Sequence, residues 1–272
     1  MGDCVEDDQW INFDGDYGRD YAQLIRTVIP GYGLMHELAA AAARASCPLA
    51  QTILIVGPAL GEELDLWLLA YPRAQFTLVD PSAAMVHQCR LRIDALQLGR
   101  QVNVIQGRLE DVDLSDQCFD IIVAQLVLHL LLPHQQLQVV GCMAKLLADR
   151  GLLLFSGSGC HTAPELDPTL LQVWRERLVL LGVELSLIER FGAARNRQVF
   201  LLDLEALGSF LCQLGCSAPV QLFQAAHVGL CSSIKGFQVL IADGSLWPDC
   251  DCQCRNRLNL TVDLVAIQVG TS

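Results

Sequence analysis

A chain of 272 residues is long enough to bury the core of one α/β domain with additions. Its net charge of −12, from 18 Lys and Arg against 30 Asp and Glu, argues against a direct nucleic-acid partner, because such affinity comes mainly from clustered basic residues. Hydrophobic residues make up 52% of the chain, yet the uncharged stretch Ile121–Ala144 carries glutamines, two histidines and Pro133, which suit strand, turn and helix better than a membrane span.

Residues 1–12 form an acidic tail without the apolar core of a secretory signal. Twelve scattered cysteines fit a reduced, cytoplasmic protein in which they serve as small apolar side chains. Residues 13–48 are helical and precede the first core strand. Tyr17, Tyr21, Leu24, Ile25 and Val28 share one face of a helix from about 17 to 28, which Pro30-Gly31 ends, and residues 34–45, LMHELAAAAARA, make an alanine-rich second helix. The first helix is placed to lie over a ligand crevice as a lid. Tyr21 reads as packing against the sheet, and Tyr32, just past the break, as the better site candidate.

Ile53 to Val56 reads as a short buried strand, and Gly57-Pro58-Ala59-Leu60-Gly61 forces a turn before Glu62 begins a helix-like run. Glycines at 57 and 61 let backbone come close to a ligand, and the helix start offers free N–H groups. Glu62 and Glu63 there are accounted for by the positive end of the helix dipole. A second strand, Phe76 to Asp80, ends in an acid 19 residues after Gly61, where a carboxylate can accept hydrogen bonds from a ribose diol in a doubly wound sheet. A helix follows from Ser82 to about Leu98.

Strands at 102–106, 119–124 and 151–156, with Gln125 at the end of the second and Asp149-Arg150-Gly151 leading into the third, alternate with helical segments, among them 135–148. That rhythm predicts a parallel sheet with right-handed crossovers. Beyond it, residues 166–190 carry one long helical pattern, and 203–214 a helix with Asp203 as N-cap and Gly215 as stop. Two strands, 219–224 and 229–235, are suited to pair antiparallel at the sheet edge.

In order and spacing, GPALG, LVDPSAAM, FDIIVAQLVLHLL and DRGLLLFS resemble a class I S-adenosylmethionine-dependent methyltransferase. Phe13-Asp14 to Pro30-Gly31-Tyr32 and LGCSAPVQLFQ are similar to the carboxy-S-adenosylmethionine synthase branch, and the likeness covers roughly residues 13–236. It implies an α/β, Rossmann-like fold: a mainly parallel seven-stranded sheet with an antiparallel C-terminal edge, an N-terminal helical lid over 13–48, a methyltransferase domain over 49–236 and an extension over 237–272. It further implies S-adenosyl-L-methionine as cofactor, with Tyr32 in contact and Gly57, Pro58, Ala59 and Gly61 along the methionine and ribose side. Asp80 would take the ribose hydroxyls, Pro81 would lie beside the adenine, Arg108 and Leu109 at the adenine edge, and Gln125 at the methionine end, with Met85 also among the cofactor-binding residues. The synthase-like branch also suggests a homodimer.

Three positions depart from the family pattern: Ile55 replaces an acid, Ala59 the middle glycine, and Arg108 the adenine-edge acid. An arginine has no acceptor for the adenine amino group. The arginine with which the synthase branch holds an extra carboxylate aligns with Phe210, so ordinary S-adenosylmethionine is expected unless Arg195 or Arg197 substitutes.

For chemistry, His129, about one turn past Gln125, and His161, in the loop after the fifth strand, are the candidate bases, each with a plain alternative as a packed or a solvated histidine. His227 reads as a turn residue, and Arg26 either reaches a carboxylate or lies on the surface. Cys250, Cys252 and Cys254 form Cys-x-Cys-x-Cys with no second pair, so no metal site is assigned. The leading reading is a methyltransferase acting on a small-molecule acceptor, with secondary metabolism as its setting and no membrane partner. Alternatives are a carboxy-S-adenosylmethionine synthase serving tRNA modification and a non-catalytic protein that binds the S-adenosyl ligand.

Overall fold

The computed structural model of the protein describes residues 10–160 and 164–236. Seven strands, β1 (Thr52–Val56), β2 (Gln75–Asp80), β3 (Val102–Gln106), β4 (Phe119–Gln125), β5 (Leu147–Ser158), β6 (Val220–Ala225) and β7 (Val228–Ile234), form one sheet in the order β3-β2-β1-β4-β5-β7-β6. The first five are parallel. β7 runs antiparallel to β5, and β6 antiparallel to β7.

Side chains alternate across this sheet with the period of two that a strand imposes. Ile53, Ile55, Phe76, Leu78, Ile121, Val123, Leu152 and Leu154 enter one apolar cluster, together with residues of α1 (Asp16–Val28), α2 (Tyr32–Ser46), α3 (Leu64–Ala70), α4 (Ala83–Ala95), α6 (Asp167–Leu180) and α7 (Leu185–Ala194). Leu54, Val56, Val79, Ile122, Ala124, Leu153 and Phe155 enter the other, with α5 (Pro133–Leu146) and α8 (Leu204–Gln213). Both faces are therefore covered, which is why the strands read in sequence as unbroken apolar runs.

The helix starts follow their capping residues. Asp203 Oδ1 accepts from the N–H groups of Glu205 and Ala206 at 2.9 and 3.0 Å, as an N-cap should. Ser82 Oγ caps α4 by accepting from Met85 N–H at 3.1 Å. The stretch Ile121–Ala144 becomes strand, a short 3₁₀ turn at Leu128–Leu130 and most of α5. No helix among the described residues is long and apolar enough to cross a membrane.

Two elements differ from the pattern in the sequence. Residues 166–190 form two helices instead of one, because Gly182 takes φ 73° and reverses the chain between α6 and α7. β5 begins at Leu147, before Asp149-Arg150-Gly151, which proves to be a bulge inside the strand. The pairing with β4 shifts register there and Arg150 takes φ 64°. Residues 1–9, His161, the Cys-x-Cys-x-Cys segment and the alternating run at 258–269 lie outside the described residues.

The N-terminal segment is tied down at both ends. Before α1, Asp14 Oδ1 accepts from Ala84 N–H at 2.9 Å and from Ser82 Oγ–H at 2.7 Å, adding a second cap to α4. At its other end, the carbonyls of Thr27 and Val28, which an α-helix leaves without internal partners, accept from Arg177 and from the Trp174 indole, each at 2.7 Å. Trp10 packs edge-on to Tyr17 and Phe191, with Arg190 over its ring at 4.7 Å.

The β5–β7 pairing demands a bare backbone at Gly229, where a side chain would collide with the carbonyl oxygen of Cys160 and lie 3.1 Å from that of Phe223. Gly229→Ala is expected to destabilise the protein by about 1–3 kcal/mol in chemical denaturation, since neither backbone can yield without opening the edge of the sheet. An unchanged midpoint would contradict this pairing.

Candidate functional site

The strand order reverses direction around β1, which has β2 on one side and β4 on the other. In such sheets the crossovers diverge and leave a crevice beyond the carboxyl ends of the two central strands. A pocket of about 340 Å³, counted to its open mouth, lies there. Its walls are Gly57–Leu60 after β1, Gln125 and Leu126 at the end of β4, Glu62 and Glu63 before α3, Tyr21 from α1, and Tyr32 and His36 from α2.

The turn after β1 is built on left-handed backbone. Gly57 takes φ 65° with its N–H donated to Val79 O at 2.8 Å, and a side chain there would strike Val127. Gly61 takes φ 70°, and a Cβ would lie 2.9 Å from Cys89 Sγ, so α4 packs directly on it. Ala59 between them, at φ 48°, and Leu126 across the pocket, at φ 58°, hold the same conformation without being glycine. Each costs on the order of 1 kcal/mol or more, and both lie on the pocket wall, where such strain tends to collect. Leu126 is held there by its N–H, which donates to Ser156 O and Oγ at 3.1 and 3.0 Å.

The polar groups of the wall are unevenly satisfied. Gln125 is 6% exposed, yet neither its carbonyl oxygen nor its amide nitrogen has a hydrogen-bond partner. A buried amide left this way carries a desolvation cost of about 1–3 kcal/mol. His36 and Glu63, both buried, face each other with Nδ1 and Oε2 3.2 Å apart, and the Tyr32 ring stands edge-on to His36 at 4.5 Å. Nearer solvent, Arg26 pairs with Glu62 at 2.8 Å and lies over the Tyr32 ring at 5.4 Å.

Asp80 sits directly behind the turn. Its carboxylate accepts from Ala59 N–H at 3.3 Å and from Ser82 N–H at 2.9 Å, linking the end of β2 to the loop after β1. Burial raises its pKa to about 6, against the opposing pull of those two N–H donors.

Of the residues singled out in the sequence, Tyr32, Gly57, Pro58, Ala59 and Gln125 stand together on the pocket wall, with Gly61 and Asp80 immediately behind it. Pro81 is exposed at the start of the loop into α4. Met85 is buried beneath α1, where Gly18 leaves room for its methyl group. Arg108 is exposed and pairs with Glu110 at 3.7 Å, while Leu109 is buried in the cluster shared with α5.

His129 lies in the 3₁₀ turn after β4, with Nδ1 3.0 Å from where a Cβ on Gly157 would be; it does not line the pocket, and burial lowers its pKa to about 4. Its carbonyl accepts from Phe200 N–H at 2.7 Å, so the turn also anchors the approach to α8. His227 stands edge-on to Trp174. Phe210 packs 3.5 Å from where a side chain on Gly141 would begin, between α8 and α5, and Arg195 is ion-paired with Asp167. The pair His36 and Glu63 is one that the sequence reading does not bring together. A signal for it exists: His36 lies one turn beyond Tyr32, on the same face as Met35, Ala39, Ala40 and Ala43.

Comparisons with known proteins agree with this architecture. Residues 54–153 match the methyltransferase domain family. A carboxy-S-adenosyl-L-methionine synthase of Photobacterium profundum is 26% identical over 234 residues, spanning 83% of this chain and 92% of that protein. Among solved structures, an O-methyltransferase family protein from Burkholderia thailandensis superposes with a TM-score of 0.60 at 16% identity, over 82% of this chain and 61% of that one. The magnesium protoporphyrin IX methyltransferase of Synechocystis PCC 6803, solved with bound SAH, does so with a TM-score of 0.60 at 14% identity, over 82% and 96%. The chain thus spans less than two thirds of the Burkholderia protein, and the structural likenesses speak for the fold.

The raised pKa of Asp80 gives a signed pH dependence. A carboxyl whose folded pKa is about 6, against a usual value of 3.8, binds more protons folded than unfolded between those limits, so it withdraws stability as pH rises from about 4 to 6. Asp80→Asn carries no such charge. Its stability relative to the parent is expected to be greater at pH 7 than at pH 4, by on the order of 1–3 kcal/mol in denaturant titrations. A difference that stays constant with pH would show that Asp80 is not buried as described.

Proposed function

We propose that the protein is an S-adenosylmethionine-dependent methyltransferase acting on a small molecule, a reading supported by the match of residues 54–153 to the methyltransferase domain family. The observation that carries the reading is the Gln125 amide, buried on the pocket wall with donor and acceptor both unused. A buried amide is retained at such a cost where a ligand with complementary polar groups completes it. The amino-acid end of S-adenosylmethionine offers both an ammonium donor and a carboxylate acceptor.

The other residues fit the same ligand. Asp80 has a carboxylate at the carboxyl end of β2, suited to a ribose diol, and the bare backbone at Gly57 allows close approach. Tyr21 and Tyr32 supply aromatic walls, and burial holds both phenols neutral, well above the usual tyrosine range. When bound, the cofactor supplies a methyl group on a sulfonium, already activated for displacement. What the protein must then do is hold the acceptor in line and keep water out, and a crevice closed on one side by α1 and α2 is suited to both.

A small acceptor is favoured over a nucleic acid by the net charge of −12 and by a pocket with Glu62 near its mouth and Glu63 buried on its wall. Carboxy-S-adenosylmethionine synthesis, the activity named for the Photobacterium relative, has less support within one chain. Phe210 packs against α5, Arg195 is engaged by Asp167, and the arginine at the pocket mouth, Arg26, is engaged by Glu62.

Gln125→Leu separates ligand binding from folding. Removing an unsatisfied buried amide is expected to leave stability unchanged or raise it by about 1 kcal/mol, while calorimetry with S-adenosylmethionine shows affinity falling about ten-fold or more. A parent protein that binds no S-adenosyl ligand would refute the proposed function. A variant that binds as tightly as the parent would remove Gln125 from the site.

A further inference from the structure

The walls of the pocket are unequal in charge. Glu62 is balanced by Arg26, 2.8 Å away and at the mouth. Glu63 is not balanced in the same way: its side chain is 6% exposed, Oε2 has no hydrogen-bond partner, and the group it faces is the His36 imidazole, whose Nδ1 lies 3.2 Å off without hydrogen-bond geometry. Arg26 and Arg92 nearby are engaged by Glu62 and Asp65, and the remaining titratable groups around it add no positive charge. Tyr21 from α1 and Tyr32 from α2 are neutral phenols, Cys89 from α4 is held as a thiol by burial, with its pKa raised to about 11, and Asp80 behind the turn is a second acid.

Gln125 provides the independent sign that a ligand belongs here, being more than nine-tenths buried, on the same wall and without partners. A buried carboxylate with a single, imperfect partner favours a bound cation, because the cation supplies the attraction that water no longer gives.

Resting on the methyltransferase reading, we infer that Glu63, positioned by His36, makes this pocket a charge-selective site that prefers the sulfonium cofactor over uncharged S-adenosyl compounds. The arithmetic of the ligands makes the consequence specific. S-adenosylmethionine carries a sulfonium, an ammonium and a carboxylate, for a net charge of +1. Methyl transfer breaks the sulfonium carbon–sulfur bond, the electron pair stays on sulfur, and the thioether left in S-adenosylhomocysteine brings the net charge to zero. A carboxylated sulfonium is also neutral overall, because its extra carboxylate cancels one positive charge. Glu63 therefore favours the loaded cofactor, weakens retention of the spent one and disfavours the carboxylated derivative. Selection in this site comes from a carboxylate on its wall, with no arginine required to recognise an acid.

The test is calorimetry on the full chain with three probes: S-adenosylmethionine, S-adenosylhomocysteine, and sinefungin, which bears an amine where the sulfonium stands. The two cationic probes are expected to bind on the order of ten-fold more tightly than S-adenosylhomocysteine. In Glu63→Gln that advantage disappears, with the affinity for S-adenosylhomocysteine changed by no more than about two-fold. His36→Gln, which frees the carboxylate to turn away, reduces the advantage in part. A parent that binds all three alike would overturn the inference while leaving the methyltransferase reading intact, and so would a folded Glu63→Gln that keeps the preference. The parent's own ranking decides the matter even where a variant fails to fold. Failure of all three probes to bind would remove the methyltransferase reading, and this inference with it.

Discussion

The constraint on which the structure depends is the divergence of the chain on either side of β1. From β1 it winds outward through β2 and β3, then returns to place β4 against the other edge of β1. The carboxyl ends of β1 and β4 are left uncovered by their own crossovers, and the residues there must turn away sharply. That requirement explains the left-handed backbone at Gly57, Ala59 and Gly61 on one side and at Leu126 on the other. Glycine meets it without strain at two of these positions. Ala59 and Leu126 meet it at a cost, offset by the bond from Ala59 N–H to Asp80 and by the bonds from Leu126 N–H to Ser156. The crevice is thus a by-product of topology, and its chemistry comes from the side chains placed around it.

The N-terminal segment converts the crevice into a pocket. A helix lying over an opening usually suggests a hinged cover, but α1 is fastened at both ends: Asp14 caps α4, and Trp174 and Arg177 satisfy its last carbonyls. Its buried face, through Tyr21, Ile25 and Val28, enters the same apolar cluster as the sheet. Helix α2 follows at once after Gly31, whose φ of 70° lets the chain reverse. Tyr32 and His36 are thereby brought onto the pocket wall, one turn apart, opposite the acids that precede α3.

Much of this is legible in the sequence because each strand carries its own apolar run and the turn after β1 carries its own glycines. The mainly parallel seven-stranded sheet, the helix starts at Ser82 and Asp203 and the antiparallel pair at the end all follow from local chemistry and from likeness to a known family. The elements that differ do so for local reasons too. Leu178, Val179, Leu180 and Leu181 continue a helical pattern up to Gly182, so the break between α6 and α7 is hidden by the residues around it. Asp149-Arg150-Gly151 has the composition of a turn, and only pairing with β4 shows it to be a bulge. His36 is hidden because it stands in an alanine-rich helix, and Glu63 because a carboxylate at a helix start needs no further reason. Their meeting depends on α2 packing across the start of α3, which no local pattern records.

The arrangement assigns distinct tasks to neighbouring groups. Backbone at Gly57 grants approach, Asp80 links two strand ends while remaining a carboxylate, and Gln125 waits with an unused amide. His129 stands against Gly157, off the pocket wall and neutral through burial. The central claim, that the crevice beyond β1 and β4 is where an S-adenosyl ligand sits, is tested most directly by hydrogen–deuterium exchange on the full chain with and without saturating S-adenosylmethionine. Slower exchange confined to residues 57–63, 80–84, 125–128 and the first turn of α2, with α8 unchanged, is the predicted result. Protection spread over other segments, or none at the turn after β1, would contradict it.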